Sequence, residues 1–267
     1  MPVIPTEKWD TKQQYLEYLR HLAAYVLLAE PFASERKVLD IGCGAGYGVG
    51  CLSESAFSIV AIDVSREGVS QYWDKYRKSN LNFMLGNGTS LPFKASSFDV
   101  VISFQVVEHI EPKFILDYLI EIRRVLRNGG TFICSTPNRK LRLLPFQKPW
   151  NPEHKKEYDC SELKNLLSQV FEEVKGSGLR GSDEIEAIER NRVKQTPFKA
   201  YIVRPLYRVL LYHLPSPILT WLKKMKQHFS QHCAGYGPAQ KETFAGRFSL
   251  SDFRIDTTCP KDCSRPR

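Results

Sequence analysis

Apolar residues along this chain fall into short continuous runs, separated by stretches in which they recur every three or four positions. Residues 11–30, TKQQYLEYLRHLAAYVLLAE, place Tyr15, Leu19, Leu22, Val26 and Ala29 at helical spacing, predicting an amphipathic helix ended by Pro31. KVLDIG then reads as a strand running into glycines, and SIVAID (58–63) as a second. SREGVSQYWDKYRKS follows as a helix with Ser65 as candidate N-cap. LNFML (81–85) and FDVVISF (98–104) are a third and a fourth strand, the latter an unbroken apolar run suited to burial on both faces. PKFILDYLIEIRRVLRNGG predicts a helix closed by Gly129 and Gly130, TFICSTP (131–137) a fifth strand, and SELKNLLSQV another helix. A sixth strand is expected around 171–180 and a seventh within GRFSLSDFRID (246–256). Alternation of strands and helices over 36–180 predicts an α/β fold, a mostly parallel seven-stranded sheet with helices on both faces.

Four parts follow from this pattern: a helical cap (1–35), the α/β core (36–180), a helical insertion or lid (181–243) broken by Pro205, Pro215 and Pro217, and a last strand with a polar tail (244–267).

Glycine occupies every second position from 42 to 50 in LDIGCGAGYGVG. Glycine loses more backbone freedom on folding than any other residue, so this turn needs bare backbone for a reason. In open α/β sheets such a turn after the first strand brings backbone N–H groups close to a ligand. A dinucleotide site would want G-x-G-x-x-G; here Tyr47 stands at the third glycine position, and the spacing is G-x-G-x-G after Asp40. That argues against NAD and for a ligand without a pyrophosphate.

With these residues in view, 36–180 resembles the class I S-adenosylmethionine-dependent methyltransferases, in the type 11 or UbiE-like branch. LDIGCGAGYG is similar to that family's first motif, and Asp63 stands where its members accept both ribose hydroxyls. GNGTSLPFKASSFDVVIS, VVEHI and RVLRNGGTFICSTPN match three further segments in order. The resemblance implies a Rossmann-like fold, S-adenosylmethionine as cofactor, and Asp40, Gly42, Gly44, Gly46, Asp63, Asn87 and Gln105 as its binding residues. Asn87 replaces the usual aspartate; an amide still accepts through its carbonyl oxygen but without charge.

Methyl transfer to a hydroxyl or carbon requires a proton acceptor. The fourth strand is followed by SFQVVEH rather than the Asp/Asn-Pro-Pro-aromatic signature of amide and exocyclic-amine methylases, which disfavours those acceptors. Two candidates for the base remain. Glu108 and His109 follow the fourth strand; Asn151, His154, Glu157 and Tyr158 lie on the loop after the fifth. The N-x-x-H-x-x-E-aromatic spacing resembles a bacterial and archaeal subgroup acting on glycans, lipopolysaccharide and lipid-linked substrates. His154, helped by Glu157, is the first candidate for base or orienting group and His109 the second; latching and packing are their bland alternatives.

Charge changes the picture of partners. Residues 1–135 hold 14 Lys/Arg against 15 Asp/Glu, whereas 136–267 hold 24 against 14. No acidic residue lies between Glu189 and Glu242, a span holding ten basic ones. Residues 201–226 combine Val203, Leu206, Leu210 and Leu214 at helical spacing with Trp221 and Lys223, Lys224 and Lys226. This suits either contact with an anionic membrane surface or an ordinary cap helix. RNA ranks lower because no RNA-binding module is evident. Seven cysteines without framework spacing, no secretory-leader pattern in the first ten residues and no membrane-span run predict a cytoplasmic protein, with peripheral membrane contact through 201–226. His228, His232, Cys233, Cys259 and Cys263 only superficially resemble zinc spacing, and no metal site is expected.

The expected activity is therefore methyl transfer to a hydroxyl or carbon of a small molecule, glycan or lipid-linked intermediate. The alternatives are an RNA methyltransferase and a silent binding protein of the same fold.

Overall fold

The computed structural model describes residues 9, 11–66, 75, 76, 78–143, 147–149, 151–198 and 247–257, with side chains to 191 in the penultimate span. The amphipathic stretch 201–226, the His228–Cys263 residues considered for zinc and most of the helix expected after Ser65 lie outside those residues.

Helix α1, Lys12–Ala24, starts at Thr11, whose hydroxyl accepts from the Gln14 N–H while the Gln14 side chain accepts from the Thr11 N–H. This reciprocal cap satisfies two N–H groups with no partner inside the helix. The helix does not end at Pro31 as expected. It widens into a π turn, Tyr25–Ala29, and continues as a short helix, Glu30–Ala33, with Pro31 in its first turn. There the missing proline N–H is needed least, and the wider turn before it absorbs the change in register.

Strands β1 (Lys37–Ile41), β2 (Ser58–Asp63), β3 (Leu81–Leu85), β4 (Phe98–Phe104) and β5 (Leu126–Ser135) form one parallel sheet in the order β3-β2-β1-β4-β5. Successive side chains of β1 point to opposite faces, so Val38 and Leu39 belong to different cores. On one face Val38, Ile59, Val100 and Ile102 meet Ala24, Tyr25, Ala29 and Ala33. On the other, Leu39, Ile41, Ile62 and Val101 meet Ile115, Tyr118, Leu119, Ile122 and Val125 of the Ile115–Val125 helix. That helix is shorter than its sequence pattern, because Leu126 turns extended (φ −73°, ψ 137°) and begins β5 five residues early.

The expectation of one seven-stranded sheet is corrected. Strands β6 (Gly178–Gly181) and β7 (Phe253–Asp256) pair antiparallel with each other in a separate two-stranded sheet. The reason lies in composition: β6 reads GLRG and offers one apolar side chain, too little for a buried sheet edge. Instead Phe248, Phe253 and Ile185 pack on Tyr15, Leu16 and Leu19 of α1, and the Tyr15 hydroxyl donates to the Phe248 carbonyl at 2.9 Å. Among the described cysteines, Cys43, Cys51 and Cys134 are free thiols. No helix of the described residues is long and apolar enough to cross a membrane.

Candidate active site

The strand order reverses between β1 and β4, and in a parallel α/β sheet the crevice beyond those carboxyl ends is where ligands bind. From β1 the chain enters a loop in which Gly42, Gly44 and Gly46 all have positive φ (79°, 51° and 74°). Gly42 is held twice over: its φ disfavours a side chain, and a Cβ there would lie 2.4 Å from Val106 Cγ2. The loop is tied to β2 by Asp63, whose Oδ2 accepts from the Gly44 N–H and Oδ1 from the Ser65 N–H, both at 2.9 Å.

Asp40 has no exposed surface. Its Oδ2 accepts from the Tyr25 hydroxyl at 3.0 Å, and its Oδ1 has no hydrogen-bond partner among the described residues. Burial pushes its carboxyl up to about 7, with the Tyr25 hydrogen bond opposing that rise and the nearby Asp63 charge adding to it. Tyr25 escaped sequence reasoning, because only the π turn brings it over the strand end. Asn87 is exposed, and its Oδ1 accepts from the Thr89 N–H and the Thr89 hydroxyl, both at 3.0 Å. Gln105 takes φ 58°, unusual for a non-glycine residue, while its N–H donates to the Ser135 carbonyl at 2.8 Å and its side chain to Ser135 Oγ at 3.3 Å.

Glu108 follows β4 and is fully buried. Thr136 donates to its Oε2 at 2.9 Å, while Oε1 has no partner among the described residues. Burial, the largest cause, pushes its carboxyl up to about 7. Its backbone carbonyl accepts from the Lys155 and Lys156 N–H groups at 2.7 and 3.2 Å, folding the loop after β5 back onto the end of β4. That return places the His154 ring 4.7 Å from the His109 ring, centroid to centroid and nearly perpendicular. His154 Nδ1 lies 2.8 Å from Oε1 of the buried Glu157. The His109 imidazole is held below its ordinary value by burial first and by His154 second. A cavity of about 300 Å³ is lined by Asn87, Thr89, His109, Ile110, Glu111 and Phe114. The structure thus groups Asp40, the three glycines and Asp63 on one side and His109, His154 and Glu157 on the other, while Asn87 shares the cavity with His109.

Residues 39–134 match the family described as a methyltransferase domain. Over 194 residues the chain is 34% identical to a probable S-adenosylmethionine-dependent methyltransferase of Mycolicibacterium smegmatis, an alignment covering 68% of this chain and 74% of that one. The chain belongs to the S-adenosylmethionine-dependent methyltransferases. The methyltransferase is also 35% identical over 165 residues to a probable phthiotriol/phenolphthiotriol dimycocerosates methyltransferase 2 of Mycobacterium ulcerans, covering 61% of this chain and 58%, less than two thirds, of that relative. The crystal structure of the PH0226 protein from Pyrococcus horikoshii OT3 shares the fold, with a TM-score of 0.51, 25% identity, and 67% of this chain and 91% of that one covered.

The residues fit the cofactor. Two carboxylates, one with an orphaned buried oxygen, suit a ligand rich in hydroxyl and ammonium donors, and three left-handed glycines leave backbone where side chains would crowd it. When bound, S-adenosylmethionine supplies a methyl group already activated on sulfur. The protein's own part is to orient the acceptor behind that methyl and exclude water.

Proposed function

We propose that this methyltransferase methylates a hydroxyl, or a carbon, on a small molecule, glycan or lipid-linked intermediate, with Asp40, Gly42, Gly44, Gly46, Asp63, Asn87 and Gln105 on the cofactor side. The observation that carries the acceptor assignment is the His154–Glu157 pair beside His109. In the neutral tautomer that carries its N–H on Nδ1, toward the carboxylate 2.8 Å away, Nε2 keeps its lone pair. His154 is then the proton acceptor or orienting group for the acceptor hydroxyl, Glu157 positions it, and His109 flanks it. SFQVVEH after β4, with no amide-methylase signature, supports the same reading. So does the relative whose name specifies phthiotriol-type dimycocerosates. The basic stretch 201–226 fits a cytoplasmic protein touching an anionic membrane surface, with nucleic acid disfavoured.

The test uses the purified full chain, methyl-labelled S-adenosylmethionine and a cell extract separated into lipid, glycan, RNA, protein and small-molecule fractions. Label in lipid, glycan or small molecules, lost in His154→Gln, is expected. Label in RNA overturns the acceptor assignment, and cofactor binding without any transfer overturns the enzymatic reading of the cluster.

A further inference from the structure

One arrangement on the acceptor side is more than a base and its helper needs. A ligating atom from each of Glu108, His109 and His154 lies within 4.8 Å of the other two. Atoms bound to one first-row ion at about 2.0–2.2 Å sit roughly 3–4 Å apart, so closing on an ion asks for shifts on the order of 1 Å. Glu108 Oε1 is buried and unpartnered among the described residues, a state that normally calls for an explanation. Metal-binding histidines characteristically donate their second ring N–H to a carboxylate, which fixes the ring and raises its basicity. Glu157, itself fully buried in its side chain, stands in that relation to His154 Nδ1. Base chemistry alone would not call for a second buried carboxylate, Glu108, with an unpartnered oxygen in the same cluster as two imidazoles.

We infer that Glu108, His109 and His154 form a binding site for a first-row divalent metal ion, oriented by Glu157, next to the cavity that His109 lines. Two imidazoles and one carboxylate select zinc, iron or nickel over magnesium and calcium, which take oxygen ligands. Three protein ligands leave coordination positions open to water or to the acceptor oxygen. The inference rests on this side of the site holding the acceptor, and it changes one role. With the ion bound, the His154 Nε2 lone pair is a ligand, and the ion lowers the pKa of the bound hydroxyl. The hydroxyl proton then leaves to solvent, and the freed oxygen lone pair forms the bond to the methyl carbon. The carbon–sulfur bond breaks as its electron pair returns to sulfur.

The full chain, stripped with a chelator, is titrated with Co²⁺ as a spectroscopic probe and then with Zn²⁺ by calorimetry. One Co²⁺ per chain is expected, with visible ligand-field bands that Zn²⁺ abolishes. His109→Asn should bind at least about 10-fold more weakly, and Glu157→Gln, which keeps all three ligands, about 10–100-fold more weakly. Thermal melting of each variant shows that it is folded. No binding of either ion to the wild type overturns the site. So does equal binding to the wild type and His109→Asn, which would put the ion elsewhere. No methyl transfer enters the titration, so it can fail while the acceptor assignment stands, and the reverse holds too.

Discussion

Asp40 is where the site carries a cost in stability. A carboxyl with no exposed surface and one unpartnered oxygen is disfavoured in its charged form, which is why burial pushes it up to about 7 from an ordinary 3.8. Because the folded protein holds this proton more tightly than the unfolded chain, its contribution is fully present below about pH 4 and is lost as pH rises through 7. At about 1.4 kcal/mol per pH unit the loss is on the order of 4 kcal/mol. Asp40→Asn, nearly the same shape and uncharged, should remove that dependence. Urea unfolding at pH 5 and pH 8 checks it: the wild type should be less stable relative to the variant at the higher pH, and parallel behaviour would refute the assignment. Gly42 is a second such point. Gly42→Ala meets both a positive φ, about 1–2 kcal/mol, and Val106 at 2.4 Å, about 1–3 kcal/mol more if the core must shift. The expected result is a fall in unfolding free energy within that combined range, together with weaker S-adenosylmethionine binding by calorimetry. These residues were legible in the sequence because type and spacing alone mark them: an acid closing a strand, then alternate glycines. Tyr25 was not legible, since nothing in its neighbourhood encodes the turn that aims it. The commitment of the Asn87 oxygen to Thr89 was equally hidden, because the preference of asparagine for its own nearby backbone competes with any ligand.

Among the elements, the Ile115–Val125 helix does more than cover the sheet. Arg124 donates to the carbonyls of Phe93 and Leu91 at 2.7 and 3.0 Å and pairs with Glu121, whose Oε2 accepts from the Leu91 N–H at 2.8 Å. This clamp fixes the segment between Asn87 and β4, and with it one wall of the cavity. Arg124→Ala removes the side-chain donor to two carbonyls and the charged partner of Glu121, and should cost about 1.5–3 kcal/mol in urea unfolding. Arg124→Lys should recover only part of this, because an ammonium cannot reproduce a planar fork reaching three acceptors. Full rescue by lysine would mean that charge, not geometry, holds the segment. The central strands β1 and β4 were legible because strands buried on both faces read as continuous apolar runs. The helix end at Val125 was missed because Leu126 continues the helical apolar pattern while its backbone turns extended. The π turn was missed because proline in sequence reads as a stop, whereas a wider turn before it lets the chain continue. The separate β6–β7 pair was missed for a third reason. Four-residue strands carry little pattern of their own, and the α1 face that receives them lies far away in sequence.

At the scale of the whole molecule, the sheet gathers the candidate site residues at the carboxyl ends of its strands while the charge is gathered elsewhere along the chain. Residues 1–135, which hold the glycine-rich loop and Glu108, are balanced at 14 basic against 15 acidic residues; residues 136–267 carry a net +10. An enzyme methylating a freely diffusing small molecule has no evident use for ten basic residues without an acidic one between Glu189 and Glu242, whereas one working on lipid-linked acceptors gains a local supply of substrate. Each Lys or Arg close to an anionic leaflet contributes about 1 kcal/mol. The full chain should therefore sediment with phosphatidylserine-containing vesicles and not with neutral ones. Raising salt from 0.1 M to 1 M, which shortens the screening length from about 10 Å to about 3 Å, should release it. Replacing Lys223, Lys224 and Lys226 together by Glu should weaken binding by about 100-fold or more. Binding indifferent to salt, or equal on neutral vesicles, would instead assign the stretch to an apolar contact. The lipid reading of the acceptor would then have to stand on the labelled products alone.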